Sequence, residues 1–250
     1  MRFLCLHGMG SSAEIFETQL SAVQKALGSK FEFVFLQGDI KAEAGPGVQG
    51  ISQGPFYSFF NLPVSNQLLG AFEMIDEAIE CDGPFDGIMG FSQGASIAAA
   101  YLIRDPSDSI PFKCAAFFCG SMPFDVDSAP FRAMDDGKFT DATTGDDVSS
   151  EISSTIPELL DRDRYLGLGE MLLLRRYSAT GTSQISIPTV HIYASNDPYY
   201  TQSTLLAAMC QSFEKETIVH KGGHSVPWDQ RITAQIIEGI RRMVHAAQLQ

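Results

Sequence analysis

Positive charge is scarce in this chain: 17 Lys and Arg stand against 30 Asp and Glu, leaving a formal net charge of −13. Such a surface repels phosphate backbones and anionic bilayers, so neither nucleic acid nor membrane is an expected partner. A local basic patch facing an acidic partner is still allowed. Cysteine is sparse and unpatterned. The five thiols, Cys5, Cys81, Cys114, Cys119 and Cys210, form no CxxC pair and have no histidine at zinc-like spacing, so no metal site is expected. Cys5, Cys114 and Cys119 lie in or beside apolar runs, where a thiol acts as a small hydrophobe. Long hydrophobic runs are also missing. None approaches membrane-spanning length, and Met1 leads into a strand-like run with no charged leader, so a reduced cytoplasmic compartment is expected. What remains, 250 residues with 44% apolar and 19% charged, fits one globular domain over 1–250.

Short apolar runs alternate with helical periodicity, which predicts an α/β fold: a mainly parallel, doubly wound sheet with helices on both faces. Strands are expected at 2–6, 31–36, 85–91, 113–118, 189–194 and 216–220. Ser11 with Glu14 has the pattern of a capping box, followed by Phe16, Leu20, Val23 and Leu27 at helical spacing up to Gly28. Ser65 is placed to cap a second helix, a small-residue helix runs from Gln93 to a stop at Pro106, and 231–246 is amphipathic. Two stretches break the rhythm. Segment 45–63 is rich in Gly and Pro yet contains Phe56, Tyr57, Phe59 and Phe60. Segment 125–186 separates two strands by far more than the usual connection. Its first part is acidic and rich in Ser and Thr, and 157–177 has helical periodicity. An insertion of this kind is expected to be a lid or substrate loop, the alternative being a surface excursion.

Gly90-Phe91-Ser92-Gln93-Gly94 matches G-x-S-x-G at the end of an apolar strand and the start of a helix. That context is the one a nucleophile elbow needs: the serine sits on a strained turn, and side chains two residues either way would crowd it. A serine of this kind needs a base, and there are five histidines. His191 and His220 fall in strands, His245 near the end of the last helix, and His7 directly after the first strand. His224 lies in a Gly-rich loop between the last strand and the last helix, which makes it the candidate base. The orienting carboxylate should lie between Ser92 and His224 in the chain, and Asp197, directly after strand 189–194, is favoured over Asp125. The backbone N–H groups of Gln93 and Met9 are the expected oxyanion donors. Gly45-Pro46-Gly47-Val48-Gln49-Gly50 fits G-x-G-x-x-G, but it neither follows a strand directly nor opens a helix, so a dinucleotide loop is discounted and no cofactor is implied.

Leu6-His7-Gly8-Met9-Gly10-Ser11-Ser12, segment 45–60, Gly83-Pro84-Phe85-Asp86-Gly87 leading into the elbow, Ser195-Asn196-Asp197-Pro198 and Gly223-His224 together resemble the FSH-type family of serine hydrolases. The resemblance spans nearly the whole chain. It implies an α/β-hydrolase fold and a triad of Ser92, Asp197 and His224. Within the family the chain looks most similar to fungal biosynthetic hydrolases, among them the thioesterase that releases the lovastatin polyketide. Segment 125–186 departs from the family pattern, and substrate identity is expected to reside there.

Three functions compete. The leading expectation is hydrolysis of an acyl thioester or ester, such as a polyketide chain on an acyl carrier protein. Phe56, Tyr57, Phe59, Phe60 and Leu172 would line the acyl pocket. Arg162, Arg164, Arg175 and Arg176 would face the acidic carrier, unless Asp161 and Asp163 neutralise the first two. A general carboxylesterase acting on small esters would use the same triad. A hydrolase fold retained as a ligand receptor is the third.

Overall fold

The computed structural model describes residues 1–48, 52–104, 111–134, 136–155, 171–181 and 184–249. In chain order the elements are β1 (Arg2–Leu6), α1 (Ala13–Leu27), β2 (Glu32–Leu36), β3 (Ile40–Ala42), β4 (Phe56–Ser58), α2 (Ser65–Asp82), β5 (Gly87–Phe91) and α3 (Gln93–Arg104). There follow β6 (Cys114–Phe118), β7 (Phe131–Ala133), β8 (Phe139–Asp141), α4 (Ser149–Thr155), β9 (Thr189–Ala194), α5 (Tyr200–Met209), β10 (Lys215–His220) and α6 (Gln230–Ala247).

Six strands form one sheet in the order β10-β9-β6-β5-β1-β2, and each neighbouring pair runs parallel. The central strands β5 (GIMGF) and β6 (CAAFF) are buried at every residue, as strands covered on both faces must be. Edge strand β10 (KETIVH) exposes Lys215, Thr217 and Val219 and buries Ile218 and His220. Side chains alternate between two cores. Leu4, Leu6 and Ile88 pack with α2 and α3 in one cluster, while Phe3, Cys5 and Met89 pack with α1 and α6 in another. The architecture is that of an α/β hydrolase. Because α1 follows β1 on one face and α3 follows the adjacent β5 on the other, the sheet reverses its winding between these strands. A crevice opens at their C-terminal ends.

Local details differ from the sequence expectation for physical reasons. The α1 cap is Ser12, whose hydroxyl accepts from the amide of Ile15, while Ser11 is buried and exchanges backbone hydrogen bonds with Tyr57. Ser65 is the first helical residue of α2 rather than its cap; Val64 stands in the cap position and makes no side-chain cap bond. Segment 45–63 is more than loop, since β4 pairs antiparallel with β3. Within 125–186, β7 and β8 form a hairpin over a small core of Phe131, Phe139, Ile152 and Leu173. Residues 171–177 are extended, bridging Leu173 to Phe131 and Arg176 to Phe124, so they are not part of the helix expected over 157–177. The rest of that expectation (157–170) lies outside the described residues, as do Pro106, Gln49 and Gly50. Helix α5 was not expected because its buried face includes Gln202 and Ser203. These bond to the loop after β6, Gln202 accepting from the Met122 amide and Ser203 donating to the Gly120 carbonyl, and polar residues hide the apolar period. Among the described residues no helix is long and apolar enough to cross a membrane.

Candidate active site

Ser92 directly follows β5 with φ +52°, a left-handed conformation uncommon outside glycine. Hydrogen bonds hold it there: its amide donates to the Phe118 carbonyl at 2.9 Å, and its own carbonyl accepts from the Ser96 amide at 3.1 Å, the first turn of α3. The glycines flanking the turn are required by space. A Cβ on Gly90 would lie 2.4 Å from the Ala95 nitrogen, and one on Gly94 would lie 2.2 Å from the Leu6 carbonyl oxygen. The alanines of α3 let that helix sit flat on the sheet, with its N-terminal end under the serine.

His224 arrives from the loop after β10, and Asp197 from the loop after β9. The two loops are tied directly, the Gly223 amide donating to Asn196 Oδ1 at 3.0 Å. His224 Nε2 lies 2.9 Å from Ser92 Oγ, and its Nδ1 lies 2.8 Å from Asp197 Oδ2. A carboxylate acceptor fixes the tautomer: Nδ1–H donates to Asp197, leaving Nε2 to accept from the Ser92 hydroxyl. Burial disfavours charge on Asp197. The bonds it accepts from His224, the Tyr199 amide and Cys119 outweigh that cost and hold its carboxyl below the usual range. Cys119 Sγ, Asp197 and His224 lie within 4.8 Å of one another. Burial and the Asp197 charge push the Cys119 thiol well up, so it is a protonated donor. This set therefore fits a hydrogen-bonded chain better than a cation site. Asp125 stands apart, bonding to the Tyr177 hydroxyl and the Asp127 amide.

The remaining histidines have other duties. His7 is fully buried, accepts at Nε2 from the Gly38 amide at 3.0 Å and meets the Phe59 ring at a tilt; burial lowers its pKa to about 4. It anchors the loop carrying Met9. Gly45 closes that loop, its amide donating to the Gly10 carbonyl at 2.8 Å. His191 is buried beside Thr189. His220 accepts from the Gly222 amide and so shapes the turn before His224.

A cavity of about 70 Å³ opens beside Ser92, with Met9, Gln93, Phe60, Phe124, Arg176 and Tyr199 among its walls. Both expected oxyanion residues, Met9 and Gln93, are therefore at the cavity. Of the five residues expected to line an acyl pocket, the structure brings only Phe60 there. Phe59 is 1% exposed, packed on His7 within the core. Gln93 clamps the backbone of this segment, accepting from the Phe59 amide and donating to the Phe60 carbonyl. Phe56 and Tyr57 pair β4 with β3 and Ser11 through their backbone, and neither lines the cavity. Leu172 is 44% exposed, outside the cavity. Arg175 is not a free surface cation: it bonds to Asp141 at 2.9 Å and Glu151 at 2.8 Å. Arg176 turns to the cavity, its guanidinium over the Phe124 ring. Arg162 and Arg164 lie outside the described residues, as do Asp161 and Asp163. Sequence reasoning overlooked Ser121, Phe124 and Tyr199 at the cavity. Their signal was position, since each lies within a few residues of the C-terminal end of β6 or β9.

A family model described as serine hydrolase (FSH1) matches residues 1–236. The chain is 28% identical to an esterase named FPY3 from Fusarium mangiferae, over 98% of this chain and 95% of the relative. It is 31% identical to a hydrolase named phiM from a fungal species, over 97% of this chain and 95% of the relative. Among solved structures, a monoacylglycerol lipase from Paleococcus ferrophilus superposes with a TM-score of 0.56 at 14% identity, over 98% of this chain and 94% of that one. That likeness speaks to the fold alone.

Proposed function

The chain belongs to the serine hydrolase (FSH1) family, and on that premise we propose that it hydrolyses an acyl ester or thioester with Ser92 as nucleophile, His224 as general base and Asp197 as the orienting acid. The observation that carries the reading is the unbroken relay from Ser92 Oγ through the imidazole to a buried carboxylate, at 2.9 and 2.8 Å. Ser92 Oγ attacks the carbonyl carbon and its proton passes to His224 Nε2. Asp197 stabilises the imidazolium, and the Met9 and Gln93 amides receive the developing oxyanion. The tetrahedral adduct collapses, the bond to the leaving oxygen or sulfur breaks, and Nε2 returns its proton to that atom. Water then repeats the sequence on the acyl-enzyme: its proton goes to Nε2, its oxygen bonds to carbon, and Ser92 leaves as the hydroxyl. The net change is ester plus water to acid plus alcohol or thiol.

The finer reading is a thioesterase that releases a polyketide chain from an acyl carrier protein, working in the cytoplasm in secondary metabolism. The relatives named as esterase and hydrolase support the ester class. On this reading 1–250 is one domain, and the insertion 125–186 shapes the substrate site, with Arg176 as its contribution to the cavity wall. A second reading, a carboxylesterase for small esters, is favoured by the small size of the cavity beside Ser92. A fluorophosphonate probe tests the shared chemistry: wild-type protein should label once, and Ser92→Ala not at all. Equal labelling of both would sink the reading. Turnover of an acylated carrier protein against the same acyl group on a simple alcohol then separates the two.

A further inference from the structure

Two non-glycine residues among those described take a left-handed backbone, Ser92 and Cys119, the latter with φ +46°. Cys119 directly follows β6 as Ser92 follows β5, and its amide donates to the Ile192 carbonyl of β9 at 2.7 Å. Glycine fits such a turn with less crowding, so a side chain kept there calls for a reason. The other buried thiols, Cys5, Cys114 and Cys210, face the carbonyls of Phe3, Asp86 and Leu206, none of them in the site. Cys119 differs, because its Sγ faces the relay. It lies 3.6 Å from the carbonyl oxygen of Ser225, the residue after His224. It is also within 4.8 Å of the Asp197 carboxylate and of a ring nitrogen of His224.

Asp197 shows what that thiol does. Its side chain has no exposed surface, so protein donors rather than water must stabilise its charge. There are three: His224 Nδ1 at 2.8 Å from Oδ2, the Tyr199 amide at 2.8 Å from Oδ1, and the Cys119 thiol. The thiol comes from the end of β6 and also reaches the backbone beyond His224, so it spans the loops that deliver acid and base. A thiol suits the place. It is a donor that burial keeps protonated, so it adds no second negative charge beside the carboxylate. Cys119 is absent from the walls of the cavity beside Ser92, so it acts on the relay rather than on substrate. We propose that Cys119 is a positioning residue of the relay, its S–H holding the Asp197 carboxylate in line with His224 Nδ1. The proposal rests on the hydrolase reading above and adds to it a group that works through Asp197.

Cys119→Ala removes the donor and Cys119→Ser keeps one. With p-nitrophenyl acetate as substrate, Cys119→Ala should lower kcat ~10-fold, as for one lost hydrogen bond to a charged group, with KM within about twofold of wild type. Cys119→Ser should bring kcat back to within about threefold of wild type, even if the hydroxyl lowers the melting temperature. The deciding comparison is made in Asp197→Asn, where the carboxylate that Cys119 holds is already gone. There Cys119→Ala should change kcat by less than about twofold, because residues that act through one another do not add. A thiol that only fills space would cause the same ~10-fold loss in both backgrounds. Unchanged kcat in Cys119→Ala overturns the proposal, as does a loss that Cys119→Ser fails to restore or one that recurs in Asp197→Asn. Should Cys119→Ala not fold, Cys119→Gly, which suits the left-handed turn, replaces it. Failure of the hydrolase reading looks different: wild-type protein that no fluorophosphonate labels would sink that reading and this proposal with it.

Discussion

Two regions crowd Ser92, and they are held in place by different means. The elbow and the loops carrying Asp197 and His224 are short, lie at strand ends, and are locked by hydrogen bonds between backbone and side chain. Segment 56–60 reaches the same serine through packing: Phe59 beneath His7, Phe60 edge-on to Phe124, with Gln93 fastening the backbone. In the first region position alone brings Ser92, His224 and Asp197 together, because a parallel sheet delivers its loops to one edge. The second sets the shape of the cavity, and there a neighbouring ring is core or wall according to contacts made from far along the chain.

The widest contrast should come from the first region. On the proposed mechanism Ser92→Ala lowers kcat on the order of 10⁶-fold and leaves the melting temperature near that of the wild type. Steady-state rates and thermal melts check both. Large residual activity would remove the serine from the relay. Asp197→Asn should cost on the order of 10⁴-fold in kcat, because the amide favours the wrong imidazole tautomer. Asp125→Asn should be within about twofold of wild type, since Asp125 bonds to Tyr177 and a turn amide instead. The pair, assayed side by side, would break the comparison if their effects were reversed.

In the second region the expected loss moves from rate to stability. Phe59→Ala should destabilise the fold by about 3–5 kcal/mol and treat short and long acyl substrates alike, as a buried ring does. Phe60→Ala should change acyl preference by about 1–3 kcal/mol instead, because its ring lines the cavity. Chemical denaturation alongside kcat/KM for two chain lengths distinguishes them. If Phe59→Ala shifted chain-length preference, the line between core and wall would need redrawing.

Acid should weaken the packing beneath the site. Burial lowers His7 to about 4 and His191 to about 3, against an ordinary value near 6.5. Between those limits the unfolded chain binds protons that the folded one refuses, so stability falls as pH drops from about 6.5 toward 4. Each histidine contributes a slope of about 1.4 kcal/mol per pH unit there. Denaturant melts at pH 7, 6 and 5 measure it, and His191→Gln should remove one histidine's share. A slope unchanged by that substitution would mean the ring titrates normally in the folded protein.

The same division decides what could be read beforehand. That Ser92, Asp197 and His224 would meet was legible because glycines at fixed spacing, an apolar strand before each loop and the chain order are all local signals. The parallel sheet was legible from its runs of apolar residues. Phe59 and Phe60 could not be told apart, because what separates them is contact with distant residues, His7 for Phe59 and Phe124 for Phe60. Helix α5 stayed hidden because Gln202 and Ser203 are buried by bonds to the β6 loop rather than by being apolar.

The smallest effect expected is also the one that limits the reach of segment 125–186. Leu172 was expected to touch an acyl chain. In the structure it is 44% exposed and absent from the cavity wall, while its neighbour Leu173 is fully buried against Phe131. The alternation follows from extended backbone, where successive side chains face opposite ways: Leu173 turns to the small core of the insertion and Leu172 to solvent. Leu172→Ala should therefore change stability by less than about 0.5 kcal/mol and leave the ratio of long-chain to acetyl ester turnover as it is. Leu173→Ala should cost about 2–5 kcal/mol in stability through the cavity it leaves. Measuring both variants on matched esters gives the answer directly. A selective loss of long-chain turnover in Leu172→Ala would place the acyl chain across the outer face of the insertion rather than inside the cavity beside Ser92.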